Sequence, residues 1–180
     1  IVKNVNHEQI SSLFMERLSK EFNGALDLAL AIFEDRYPKS FLHQLVSSQL
    51  DMDRMDYLNR DSFYTGVSEG VIGSDRIIAM LNVKDNQLVV EEKGVYSIEK
   101  FLVARRLMYW QVYMHKTVVS SEVMLTHILK RAKLLIQSGV ELFASPSFHL
   151  FLANDFTLED FRANADLLLK FASLDDNDIL

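Results

Sequence analysis

After Asn6 the apolar positions Ile10, Leu13, Phe14 and Leu18 recur at helical spacing, and Gln9 stands three residues beyond Asn6 in the pattern of a capping box. This predicts a helix with one buried stripe, ending near Phe22, where Asn23-Gly24 breaks the run. Ala25 to Arg36 reads as a second helix, stopped by Tyr37, which precedes Pro38 and is pushed away from helical angles. Phe41 to Arg60 predicts one or two more helices, and Gly66, Gly70 and Gly73 then punctuate a loop. A short helix is expected over Ser74 to Leu81, followed by a small hairpin whose strands flank Asp85-Asn86 and which ends near Gly94. With Ser97 as its cap, a long helical run is expected from Ile98 to Ser138, bent near Val118-Val119-Ser120-Ser121 and closed by Gly139. A Ser145-Pro146 turn and a Thr157 cap with Asp160 introduce a last helix, Leu158 to about Phe171.

Composition sharpens this into an all-α fold with a hairpin appendage: 180 residues contain two prolines and six glycines, and at 49% hydrophobic the chain can bury a sizeable core. No apolar run approaches the roughly 20 residues of a membrane span. With 25 acidic against 19 basic residues the formal charge is −6, which disfavours broad attachment to nucleic acid or an anionic membrane, so any anion must meet a local basic site. The absence of cysteine excludes disulfides, thiolate metal sites and cysteine nucleophiles, and fits a cytoplasmic location. Ile1 is not an initiator methionine and Asp178-Ile179-Leu180 is no closing element, so both ends read as truncated.

Two rows of side chains can carry chemistry. Asp53, Tyr57 and Asp61 are four apart and stack on one helix face, giving carboxylate, phenol, carboxylate, while Asp51 and Asp56 point elsewhere. Such a face can ligate a divalent cation and hydrogen-bond a sugar or phosphate; it can equally be a solvated acidic face with one tyrosine packed inward. Arg105, Tyr109 and Tyr113 repeat the spacing in a basic and aromatic register, with His115 and Lys116 just beyond. That row can hold a polyphosphate, or it can be a half-buried helix whose cations snorkel to water. His7-Glu8 opens the first helix, where a neutral imidazole could move a proton, although a surface role is the ordinary one there. No zinc-helix spacing, P-loop, dinucleotide fingerprint or nucleophile elbow occurs.

The stretch LDMDRMDYLNRDSFYTG, with its upstream HE pair and downstream RRLMYWQVYMHK, resembles the later part of the HD-domain phosphohydrolases, most of all the deoxynucleoside triphosphate triphosphohydrolases. The resemblance runs from His7 to Lys116 in three separated motifs, of which D-x-D-[RK]-x-D-Y-x-x-R-D is the most specific. It implies an HD-domain-like helical bundle, with residues 1–81 the C-terminal part of the helical core, 82–95 the hairpin, and 96–180 long helices completing a pocket plus an extension. It implies Asp53 as the last metal ligand, His7 as the active-site histidine of the HE pair, and Tyr57, Asp61, Arg105 and Tyr113 as the nucleotide pocket. His115 and Lys116 match a segment that, in the activated vertebrate enzyme of this family, lies near a regulatory nucleotide.

Two departures matter. Tyr109 and Met114 stand where the vertebrate enzyme has histidine and glutamine, so base and sugar selectivity can differ. The upstream histidine and the His-Asp dipeptide are absent from the 180 residues. The expectation is therefore a parent that is a metal-dependent phosphohydrolase, cleaving dNTPs to deoxynucleoside and triphosphate and forming homo-oligomers in the manner of its relatives, and a fragment that binds no metal and is inactive. Alternatives are an HD phosphohydrolase for another nucleotide or a phosphomonoester, and a non-catalytic helical interaction or regulatory module.

Overall fold

The computed structural model describes residues 5–179; Ile1 and Leu180, on which the expectation of truncated ends rests, lie outside the described residues. The chain divides into two compact units, one of Leu28–Ser121 and one that joins Ile1–Asp27 to Glu122–Leu180. Ten α-helices and a single two-stranded sheet make up the described residues, as the all-α reading with a hairpin appendage requires.

The continuous unit is built on helices α3 (Ser40–Val46), α4 (Met52–Thr65), α5 (Ser74–Ala79) and α6 (Val95–Met108). Asp51 caps α4: it is buried, accepts from Arg54 N at 2.8 Å and forms an ion pair with the Arg54 guanidinium. At the other end Gly66 takes the left-handed conformation (φ 71°) that stops a helix with little steric penalty. The apolar faces of α4, α5 and α6 bury Met55, Leu58, Ile77, Phe101, Ala104 and Met108 in one cluster. Gly70 marks a close approach in this core. A Cβ there would stand 2.6 Å from Met108 Sδ and 2.9 Å from Ser62 Cβ.

Strands β1 (Leu81–Lys84) and β2 (Gln87–Val90) pair antiparallel, with Asp85 and Asn86 both at positive φ in the turn, the twist that a two-residue hairpin favours. The hairpin is tied to α3: Ser40 Oγ donates to Asn86 O at 2.7 Å and Leu88 N donates to Gln44 Oε1 at 2.7 Å.

The long run expected from Ile98 to Ser138 is instead two helices. The first begins at Val95, so Ser97 lies inside it and caps nothing. The break falls at Tyr109–Tyr113, a π-turn in which Met114 N donates to Tyr109 O at 2.8 Å, and not at Val118 to Ser121, which lies within α7 (Lys116–Gln137). The β-branched and hydroxyl residues there cost only tenths of a kcal/mol each in helix propensity, too little to break a 22-residue helix.

In the discontinuous unit, α1 (His7–Glu21) carries the expected Asn6/Gln9 capping box. Its partners are α8 (Pro146–Ala153), α9 (Leu158–Ala163) and α10 (Ala165–Ala172). Ser145-Pro146 is no simple turn. Ser145 accepts from Phe148 N and Pro146 opens α8, the first-turn position where a missing N–H costs nothing. The single last helix expected from Leu158 is also divided, because Asn164 leaves helical angles and its side chain caps α10 by accepting from Asp166 and Leu167 N.

Candidate active site

Asp53, Tyr57 and Asp61 stand one turn apart on α4, because its cap and its buried stripe of Met55, Leu58 and Ser62 fix which face looks outward. Arg105 stands in the last turn of α6, and the π-turn that follows carries Tyr109 and Tyr113. Such a turn is one residue wider than an α-turn and recurs at functional sites. The two rows face a common open cavity of about 370 Å³, lined by Asp53, Arg54, Tyr57, Asp61, Arg105, Tyr109 and Tyr113.

The polar groups there are held in place. Tyr113 Oη donates to Asp61 Oδ2 at 2.6 Å, joining the ends of the two rows. The Tyr113 ring meets Tyr57 edge-on at 6.1 Å and Tyr109 at 5.2 Å, a preferred aromatic geometry. Arg105 lies 5.8 Å from the Tyr109 ring centre and donates from Nη1 to Gln49 Oε1 at 2.9 Å. Burial pushes the Tyr113 phenol well above the usual tyrosine range, and its bond to Asp61 pushes the same way. Burial also raises Tyr57, aided by Tyr109, while Arg105 and Arg54 pull it back. Both phenols therefore stay neutral hydrogen-bonding groups at physiological pH.

Arg54 and Tyr109 complete the cavity wall; Tyr109 belongs to the basic and aromatic row that the spacing marks, whereas Arg54, adjacent to Asp53, carries no signal in the sequence beyond that adjacency. Arg54 also donates to Ser48 O at 2.5 Å, yet its Nε is a buried donor with no hydrogen-bond partner among the described residues. His115 and Lys116 are exposed and do not line the cavity; His115 Nδ1 accepts from Thr117 N at 3.3 Å. His7 is the exposed first residue of α1 and belongs to the other unit.

A divalent ion needs several oxygen or nitrogen donors. Among the described residues no group of three or more His, Asp or Glu side chains is placed to supply them. Asp53 is a single exposed carboxylate and Asp61 already accepts from Tyr113, so the described residues alone do not fit such an ion.

Residues 72–141 match the family described as the HD associated region, a segment that includes Arg105, Tyr109 and Tyr113 but not the acidic row of α4. Over 126 residues the chain is 42% identical to an uncharacterised protein of Bacillus subtilis, covering 69% of this chain and 29% of that protein. It is 30% identical over 97 residues to a deoxynucleoside triphosphate triphosphohydrolase SAMHD1 homologue of Dictyostelium discoideum, covering 52% of this chain and 19% of that one. The crystal structure of a phosphohydrolase from Bacteroides thetaiotaomicron superposes with a TM-score of 0.93 at 64% identity, over 98% of this chain and 44% of that chain. The chain thus spans less than half the length of each of these relatives. The likenesses are to an HD associated region and to proteins named as hydrolases, each of which this chain covers only in part. No helix among the described residues is long and apolar enough to cross a membrane.

Proposed function

We propose that this chain is the nucleotide-pocket part of a longer, metal-dependent HD-type phosphohydrolase that hydrolyses dNTPs to deoxynucleoside and triphosphate. The observation that carries the reading is the shared cavity, with a carboxylate–phenol pair at one end and an arginine anchored by Gln49 on its wall. The Asp61 carboxylate keeps lone pairs beyond the one that Tyr113 occupies and can accept from a sugar hydroxyl. Arg105 uses one donor on Gln49 and keeps the rest of its fork for phosphate oxygens. Tyr57, held neutral, adds a donor, and Tyr113, whose proton is committed to Asp61, stays neutral as well, so neither places negative charge beside a polyphosphate. The relative whose name carries deoxynucleoside triphosphate triphosphohydrolase activity supports the choice of substrate.

Asp53 is proposed as one ligand of the metal, with the remaining donors supplied by chain beyond these 180 residues, as the partial coverage of longer relatives suggests. His7 enters as the proton-transfer residue on the family resemblance alone. On this reading the 180-residue chain by itself neither holds a divalent ion tightly nor turns over.

The test is a substrate panel on the longer protein and on the 180-residue chain, with products resolved by anion-exchange chromatography. The expected result is triphosphate and deoxynucleoside from dNTPs for the longer protein, lost on Asp53→Ala, and no turnover by the short chain. Cleavage of phosphomonoesters with none of dNTPs would reject the substrate assignment. Absence of any hydrolysis would reject the enzyme reading.

A further inference from the structure

The discontinuous unit holds a second cavity, of about 340 Å³, which the proposed reaction does not use. That size lies at the lower end of the range of about 300–1,000 Å³ typical of small-molecule sites. Its floor is apolar: Leu13 of α1, Phe161 of α9 and Leu168 of α10 are all buried members of the aromatic core. Its rim is cationic. Arg17, Lys20 and Arg162 line it against the single acid Glu16, in a chain whose overall charge is −6.

The three cations are only lightly committed. Arg17 donates one hydrogen bond, from Nη1 to Ala165 O at 2.9 Å, which fixes the guanidinium and leaves the rest of its fork free. Arg162 pairs with Glu159 at 3.2 Å, but both side chains are well exposed, so the pair is weak. The Lys20 ammonium has no ion-pair or hydrogen-bond partner among the described residues, its helix carbonyl alone accepting from Phe22 and Asn23 N. Lys20 and Arg162 each stand in the last turn of their helix, where a cation is favoured by the helix dipole. That preference accounts for each sign separately, and not for three cations converging on an apolar hollow.

We infer that this cavity binds a small amphiphilic anion, a short apolar body ending in a carboxylate, with the body on Leu13, Phe161 and Leu168 and the anionic head among Arg17, Lys20 and Arg162. The recognition is independent of the hydrolytic reading, since no cavity residue belongs to the proposed nucleotide pocket.

Octanoate, octanol and octylammonium, titrated into the whole chain and followed by methyl NMR and calorimetry, separate the contributions. Octanoate is expected to bind with a Kd of about a millimolar or tighter, as a ligand of ten heavy atoms allows, and to shift the Leu13 and Leu168 methyls. Octanol should bind about five- to tenfold more weakly, the value of two partly exposed charge contacts, and octylammonium more weakly still. The double variant Lys20→Glu with Arg162→Glu, which changes only exposed side chains, should lose octanoate affinity by at least the same factor. Its octanol affinity should stay unchanged, which also shows that the apolar floor is intact. Equal affinity for octanoate and octanol, shifts confined to residues elsewhere, or undiminished octanoate binding by the double variant would overturn the assignment.

Discussion

The two units solve the same burial problem with different side chains. The continuous unit, residues 28–121, packs Leu58, Ile77, Met55 and Met108 around one phenylalanine, Phe101. The discontinuous unit is organised by rings: Phe151 meets Phe156, Phe161 and Phe171 at 5.3 to 6.2 Å, and Phe161 also meets Phe171 edge-on at 5.6 Å. Short aliphatic and methionine side chains let the backbone of Gly70 come up against Met108. The face of α4 opposite that packing is left to polar groups, and the nucleotide-pocket candidates occupy it. The lesson is that a functional face on a helix depends on a narrow buried stripe, whereas an aromatic cluster gathers segments distant in sequence through large area and edge-on geometry.

The sharpest way to break the contrast is Phe151→Ala. Phe151 is fully buried at the centre of the ring cluster, so the truncation should cost about 3–5 kcal/mol in denaturant unfolding. Chemical shifts should move through residues 148–171, and the Tyr113–Asp61 hydrogen bond should persist in the same spectra. Next comes Asp51→Ala, which removes the α4 cap and leaves the Arg54 guanidinium without its ion partner. A loss of about 2 kcal/mol is expected, together with fraying of the first turn that carries Asp53, visible as faster amide exchange at Asp53 and Arg54.

Tyr113→Phe removes one partly buried bond to a carboxylate and should cost about 1 kcal/mol. Its pH dependence has a definite sign. The folded phenol is raised above its unfolded value of about 10, so its contribution is complete below that pH and fades as pH rises above it. Tyrosinate absorbance should therefore show a late-titrating component in the native chain that Tyr113→Phe abolishes. Identical alkaline titrations of the two proteins would show that the phenol is not held as described. The smallest effect belongs to Asp160→Asn. Bonds from the Thr157 backbone and hydroxyl hold the Asp160 carboxyl below the usual range, so its contribution is present above pH 4 and lost as pH falls through the lowered value. The substitution should lose that small contribution at neutral pH and flatten the acid limb of a stability–pH curve, so that the two proteins converge at low pH.

Much of the local architecture was written in short patterns. The Asn6/Gln9 box, the Thr157/Asp160 box, the Asp85-Asn86 turn and Gly66 act within three or four residues, so identity and spacing suffice to place them. The π-turn at Tyr109–Tyr113 and the division of the last helix at Asn164 were not legible. Helical propensity there differs by tenths of a kcal/mol from its neighbours, and packing outweighs it. For the site, the four-residue spacing put Asp53, Tyr57 and Asp61 on one face, and Arg105 with Tyr113 on another. Nothing in that spacing required the faces to look into the same cavity. Gln49 as the anchor of Arg105, Arg54 as part of the wall and the Tyr113–Asp61 bond across 52 positions are tertiary facts.

The sequence by itself determined the helices with strong caps, the hairpin and the two chemically distinct rows, because these follow from interactions within one or two turns of chain. The tertiary structure alone decided that residues 5–27 pack with 122–179, that the two rows share a hollow, and that three cations ring an apolar floor in the other unit. Those outcomes depend on burying apolar area between segments far apart in sequence, a non-directional force that no local pattern encodes.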